Sequence, residues 1–371
     1  MNEKNFEKAK QLRHELHAHP ELSLEEKWTK QHLMDFMKEN TTKWEIVDRG
    51  RWFYAYYKGN NPTKKVAFRG DFDAIPVLDD IDSEWKSQFP GVGHKCGHDG
   101  HVSNLCLTAM EIEENGCDND VYLVFQHGEE IGGGGEECAE LMTEKSIDEV
   151  YAFHNKSGFP MDSIIVRNDC VCCASKGMEI TLIGTPAHAS TPENGKNPAF
   201  AIAALIEAIP GLIDPATHQG LILATVIQVD LGERAFGVSA HKGKLLLTIR
   251  GEVETEMDEL QKNLEDLAMA QAEKYGLECS FEYYDVFPET RNHNEYADKI
   301  RQAAKTLGLT LAVKELPDRG SEDFGYFTKK AKGAMFSVGN GEDYPSVHDA
   351  KFDFIDEQMK TATAMFLELA K

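Results

Sequence analysis

The run "DVYLVFQHGEEIGGGGEECAELMTEK", Asp120–Lys145, decides the fold class. Val121–Phe125 are β-branched, aromatic or leucine and read as a strand. The strand stops in polar residues, and after four glycines "GGGGEECAELMTEK" turns into a helix. The same alternation extends outward in both directions. "WEIVD", "WFYAYYKG", "KKVAFRGD" and "EVYAFHN" read as further strands, and residues 102–114 as a helix. The first ~40 residues read as helical, with an interruption at Pro20. Strands alternating with helices, with polar clusters just past the strand ends, predict an α/β sandwich. Ligand sites in such sheets lie beyond the carboxyl ends of the strands.

From about Lys176 the texture changes. "GMEITLIGTPAHAS" reads as strand and turn, "NPAFAIAALIEAIPGLI" as helix, "LILATVIQVDLG" and "GKLLLTIRGEV" as strands. "TEMDELQKNLEDLAMAQAEKYG" follows as a long helix and "LECSFEYYDVF" as a last strand. The order β-α-β-β-α-β is that of a ferredoxin-like domain. A small domain over 177–288 is therefore expected to interrupt a larger one formed by 1–176 and 289–371. After the helix in "HNEYADKIRQAAKTLG", the remaining chain reads as loop-rich.

Composition narrows the function. The 371 residues are 41% hydrophobic and 27% charged, the balance of a globular protein with a substantial core. The net charge is −24, with no basic stripe to offset it, which argues against nucleic acid or an anionic membrane as partner. No apolar run approaches the ~20 residues of a membrane span, and "MNEKNFEKAKQLRHELHAHPELSLEE" lacks the apolar core of a signal peptide. The expected location is the cytoplasm. Eight cysteines without regular spacing in so long a chain do not make a disulfide scaffold.

Cys96 stands apart because of its company in "GHKCGHDGH", Gly93–His101. Neither zinc-finger nor haem-attachment spacing is present. A Cys–His nucleophile pair and a metal site both remain open here. Cys96 and His98 can face one cation from a tight loop, and Gly97 removes the side chain that would crowd it. Glu129 and Glu130 are adjacent carboxylates at a strand end. They repel unless a cation is present, in which case one can bind it and the other serve as a general base. A solvated acidic turn ahead of a helix is the plainer alternative. "IGGGGEE" lacks the lysine of a phosphate loop and is rejected as one. Asp71 and Asp73 follow the strand in "FRGDFDAIP", His154 ends "EVYAFH", and His348 lies in "PSVHDAKFDF". Carboxylates in such positions orient metal-bound histidines as often as they make turns.

In this order the motifs are more specific than any one alone. The chain resembles the metal-dependent amidohydrolases of the hippurate hydrolase, indoleacetyl-amino-acid hydrolase and N-acetyldiaminopimelate deacetylase family, within the zinc-exopeptidase superfamily. The resemblance rests on "RHELHAHPELSLEE", "FRGDFDAIP", "HKCGHDGH", "FQHGEEIGGGG", "GTPAHASTPENGKNP", "GSEDFGYF" and "VHDAKFDFIDE" and runs nearly end to end. It implies an α/β/α catalytic domain with an inserted ferredoxin-like lid and dimerisation domain. It also implies two divalent metal ions, zinc or manganese, with cobalt or nickel compatible. Their ligands would be Cys96, His98, Glu130, His154 and His348, with Cys96 where relatives outside this branch use a bridging aspartate. Glu129 would be the general base, and Asp73 with Asp71 would orient a ligand. His188, from "AHAS", would help bind substrate or the oxyanion. Asp99 and His101 would support the ligands; His94 receives no role. The implied substrate is an N-acyl amino acid, whose carboxylate Arg250 would meet, and the implied assembly is a homodimer through the inserted domain.

The chain departs from the family at three places. Gly237–Ala240 replaces an Asn-Val-Ile-Pro run, Asn155 and Lys156 replace prolines after His154, and His127 changes "FQPAEE" to "FQHGEE". These bear on the substrate pocket, while the expected ligands are all present. A dipeptidase or carboxypeptidase on the same fold, a non-catalytic binding homologue, and a cysteine-nucleophile hydrolase are the alternatives.

Overall fold

A computed structural model describes residues 1–371. The chain forms two compact units. The first comprises Met1–Val171, Thr290–Pro317 and Glu322–Lys371; the second comprises Cys172–Glu289 and Asp318–Ser321. No helix is long and apolar enough to cross a membrane.

The first unit is built on an eight-stranded mixed sheet. Its order is Trp44–Asp48, Phe53–Tyr57, Asp120–Gln126, Lys65–Asp71, Glu149–Lys156, Lys332–Gly339, Ile164–Ile165 and Leu311–Ala312. The four central strands, from Asp120–Gln126 to Lys332–Gly339, run parallel. Residues alternate between the two faces, as a pleated strand requires. Phe68, Leu123, Tyr151 and Phe153 pack with the helices Glu3–Ala18, His98–Asn115 and Gln358–Leu369. Ala67, Val124, Val150 and Ala152 pack the other way, against Gly135–Glu144 and Gly325–Lys330. The result is helix, sheet, helix, the α/β sandwich expected from the alternation. Each fully buried Leu, Val or Phe among these contributes roughly 1.5–3 kcal/mol.

The C-terminal region corrects the reading of 309–371 as loop-rich. Lys332–Gly339 is a central strand, paired along its length with Glu149–Lys156, and Gln358–Leu369 is a helix. The glycines of "KGAMFSVG" look like loop punctuation. One of them has a different cause: a Cβ on Gly333 would lie 1.9 Å from the carbonyl oxygen of Val150, so the close approach of the neighbouring backbone demands glycine.

The second unit carries a four-stranded antiparallel sheet ordered Glu278–Phe287, Ala174–Ile183, Lys242–Gly251, Ile222–Leu231. Helices Ala199–Leu212 and Glu254–Tyr275 share a core with Met178, Ile180, Leu182, Leu245, Leu247 and Ile249. Chain order and sheet order together are those of a ferredoxin-like fold.

Candidate metal centre

The parallel strands deliver the chemistry-bearing residues at their carboxyl ends. Asp71 ends one strand and Asp73 follows it; Glu129 and Glu130 follow Gln126 by a short turn; His154 lies near the end of a third. The Cys96 loop meets them from the start of helix His98–Asn115. Gly97 is the left-handed residue before that helix, at φ 97°, and a Cβ there would lie 2.3 Å from Asn155 Oδ1. Any other residue would be strained and would clash.

At this loop Cys96, His98 and His154 converge from two elements, as do Cys96, Glu130 and His348 from three; in each trio the potential ligand atoms lie within 4.8 Å of one another. Cys96 is common to both. Its Sγ is 3.5 Å from His154 Nε2, while His348 Nε2 is 3.4 Å from Glu130 Oε2. His98 Nε2 lies 3.7 Å from Glu130 Oε1 and 3.8 Å from Glu129 Oε2.

Each of two imidazoles has its Nδ1 engaged from behind. The Nδ1–H of His98 donates to the Asp73 carbonyl and to Asp73 Oδ1, at 3.0 and 3.1 Å. The Nδ1–H of His154 donates to the Asn155 carbonyl at 2.8 Å. This fixes the tautomers and leaves both Nε2 lone pairs facing the cluster, the arrangement that second partners impose on metal-binding histidines. His98 Nε2 and Glu130 Oε1 are buried and without hydrogen-bond partners. Buried polar atoms of this kind are costly, and lone pairs of thiolate, imidazole and carboxylate match the donor set of a divalent transition metal.

The electrostatics agree. Burial, then the charges of Glu322, Asp323, Glu130 and Asp71, push Glu129 well above the usual carboxylate range. Burial, followed by Glu130, Glu129 and Asp71, pushes the Cys96 thiol up as well. Burial would lower His98, but Asp71 and Asp73 carry it up to about 10. His154 goes well below the usual imidazole range through burial and the neighbouring His101. Without a cation Glu129, Cys96 and His98 hold their protons while His154 stays neutral; a divalent ion reverses the preference of the first three.

Two buried charge networks surround the cluster, and neither is evident from the motifs. Arg69 donates to Asp71 Oδ2 at 2.6 Å, to Asp323 Oδ1 at 2.6 Å and to Gln126 Oε1 at 2.8 Å, and lies 3.1 Å from Glu322 Oε1. Asp71 in turn accepts from His101 Nδ1 at 2.5 Å, and His101 Nε2 meets Asn155 Oδ1 at 2.9 Å. One departure from the family pattern, Asn155, thus meets His101, and its Oδ1 occupies the space that a side chain at Gly97 would need. On the other side Asp99 takes His17 at 2.8 Å and Arg13 at 3.4 Å, while buried Lys95 binds Asp79 and the Phe352 carbonyl. The signal for the first network was an arginine inside the otherwise apolar strand "KVAFRGD" and adjacent acids in "GSEDFGYF". Both nitrogens of His94 are buried and unpartnered, and burial lowers it to about 4.

His188 and Arg250 belong to the second unit. His188 is exposed, and its Nδ1 accepts from the Ser190 N–H at 3.2 Å, which places the ring proton on Nε2. The Gly237–Ala240 run holds this segment: Ala189 N–H donates to the Gly237 carbonyl at 3.0 Å, and Ser239 N–H to the Ala187 carbonyl at 2.8 Å. Arg250 Nη1 donates to the Arg319 carbonyl at 2.9 Å and to Ser321 Oγ at 3.0 Å.

Comparison with known proteins gives a consistent picture. A profile of peptidase family M20/M25/M40 matches residues 67–371. The hippurate hydrolase of Campylobacter jejuni is 27% identical, over 98% of this chain and 95% of its own. Thermostable carboxypeptidase 1 of Saccharolobus solfataricus is 28% identical, over 94% and 91%. Among solved structures, a dinuclear metal-binding peptidase of family M20 from Bacillus subtilis superposes with a TM-score of 0.84 at 23% identity, covering 100% of this chain and 98% of that one.

Proposed function

This chain belongs to peptidase family M20/M25/M40, and from that premise we propose that it hydrolyses the amide bond of N-acyl amino acids with the help of two divalent metal ions. The observation that carries the reading is the sharing of Cys96 by two convergent ligand trios, with His98 and His154 on one side and Glu130 and His348 on the other. The donor set suits zinc or manganese, and cobalt or nickel are compatible.

When bound, the ions supply Lewis-acid polarisation of the amide carbonyl and lower the pKa of a water. The rest falls to the chain. Glu129, whose carboxylate also lies within 4.8 Å of His98 and Glu130 ligand atoms, takes the proton of the attacking water and returns it to the leaving nitrogen. Asp73 holds His98 in its tautomer, and Asp71 does the same for His101. His188 carries a proton on Nε2 and is assigned to the developing oxyanion. Arg250 is assigned to the substrate carboxylate, with one guanidinium nitrogen already engaged.

The homodimer belongs to the same proposal. The outer strand Ile222–Leu231 leaves Val226, Ile227, Val229 and Leu231 exposed, and Phe236 is 91% exposed. An apolar sheet edge of this kind favours pairing with a second copy.

Peptide hydrolysis is the second reading, favoured by the 28% identity to a carboxypeptidase. The test is amine release from N-acetyl, N-benzoyl and longer N-acyl amino acids, and from dipeptides, by metal-stripped protein with and without manganese or zinc. Metal-dependent release from the acylated substrates supports the proposal. Release from dipeptides alone supports the second reading, and no release with metal bound overturns both.

A further inference from the structure

The segment Glu21–Glu26, "ELSLEE", between the first two helices has no part in the chemistry above. Its contacts converge on the two acidic loops that do. Ala74 N–H donates to the Glu21 carbonyl at 2.8 Å, and Leu22 bridges Ala74 in parallel register. The Ser23 hydroxyl donates to Asp73 Oδ2 at 2.7 Å. Buried Glu26 accepts the Gly128 N–H on Oε1 at 2.8 Å. Leu24 takes the left-handed conformation, φ 68°, and a Cβ on Gly128 would lie 2.9 Å from its Cδ2. Left-handed backbone costs a leucine roughly 1–2 kcal/mol, so it persists only where the surroundings impose it.

Asp73 joins these contacts into a closed figure. Its Oδ1 accepts from His98, and its Oδ2 accepts both the Ser23 hydroxyl and the Glu130 N–H, the latter at 2.9 Å. One carboxylate therefore sets the positions of His98 and Glu130, and Ser23 holds that carboxylate. From the other end Glu26 holds Gly128, the left-handed residue that starts the Glu129–Ile131 turn. Adjacent acids in a buried turn repel each other, and backbone anchorage keeps them in place before any cation arrives.

The geometry points to Ser23 and Glu26 as positioning residues: a clamp that pre-forms the Glu129–Glu130 turn and the His98 orientation for metal binding. The inference rests on the metal-centre reading above but not on the identity of the substrate. Its test is the affinity of metal-stripped full-length protein for zinc alone and manganese alone, by competition with a chelating dye. The variants are Ser23→Ala, Glu26→Ala and Glu26→Gln, and circular dichroism checks folding.

Loss of a partner behind a metal ligand weakens affinity roughly 10–100-fold. Ser23 and Glu26 act one step further back, through Asp73 and Gly128, so Ser23→Ala and Glu26→Ala are expected at the lower end of that range, roughly 10-fold, with kcat lowered more than KM changes on whichever amide the enzyme cleaves. Glu26→Gln keeps an oxygen to accept from Gly128 and is expected to bind metal as the unmodified protein does. Unchanged metal affinity in Ser23→Ala and Glu26→Ala overturns the clamp, and if Glu26→Ala does not fold, Ser23→Ala decides. Weakened metal binding in a protein that releases no amine from any substrate leaves the clamp standing and sinks the amidohydrolase proposal.

Discussion

Arg69 Nη2 lies 2.6 Å from Asp323 Oδ1, and neither residue has more than 2% of its surface exposed. The same guanidinium neutralises Asp71 and faces Glu322. Removing one partner of a buried ion pair typically costs about 3–5 kcal/mol, because the remaining charge is left without a counter-ion. Arg69→Leu is expected to lose about that much, chiefly through Asp71, because burial and neighbouring acids raise Asp323 to about 8 and Glu322 above its usual range; urea denaturation of metal-free protein measures it. A loss below about 1 kcal/mol would mean that the acids there are already neutral.

Glu129→Gln separates catalysis from metal binding. General-base groups contribute about 10²–10⁴-fold to rate, so kcat is expected to drop by that factor while metal stoichiometry, from atomic absorption, stays the same. Glu129 is held well above its ordinary range by burial and its acidic neighbours, so the metal-free variant should also melt higher than the parent at neutral pH. Loss of bound metal in Glu129→Gln would instead make this residue a ligand.

Glu26 gives a pH dependence with a definite sign. Burial, then the charge of Asp73, raises it from 4.5 to about 7. The folded state therefore binds the proton more tightly than the unfolded one between those values. Its stabilising contribution is complete below about 4.5 and is lost as pH rises through about 7. The upper limit is about 3 kcal/mol. Stability of the parent minus that of Glu26→Gln, by urea titration from pH 4 to 8, should fall across this window. A flat difference would mean that Glu26 titrates alike in the folded and unfolded chains.

Gly97→Ala tests the loop that presents Cys96 and His98. The left-handed φ and the contact with Asn155 Oδ1 both oppose a methyl group. The backbone term alone is roughly 1–2 kcal/mol, and metal affinity should fall with it. Asn155→Ala in the same chain removes the clash and should restore part of the affinity. Equal affinities for the single and double variants would assign the loss to backbone strain alone.

What was legible in the chain follows from physical range. Cys96 and His98 sit one residue apart, Glu129 and Glu130 are adjacent, and strand ends marked by polar runs announce a site without three-dimensional knowledge. The βαββαβ order is likewise local, written in successive periodicities. The Arg69 network was not legible, because its partners come from residues 71, 126, 322 and 323 and meet only through sheet register. The bracing by Ser23 and Glu26 was hidden for the same reason, although the motif that contains them was conspicuous. The strand Lys332–Gly339 was missed because glycines required by close backbone packing look identical, in sequence, to glycines of a turn.

That strand has a further consequence, for the order in which the protein is made. It pairs with Glu149–Lys156, across the entire second unit in sequence. During synthesis the first 171 residues emerge with the Glu149–Lys156 side of their sheet uncovered, and the second unit is complete before the strand that covers it exists. Unpaired strand edges of this kind aggregate readily. In chain order, then, the whole insert is synthesised while the host sheet still lacks the strand that closes this edge, and His348 comes later still, after that edge can close.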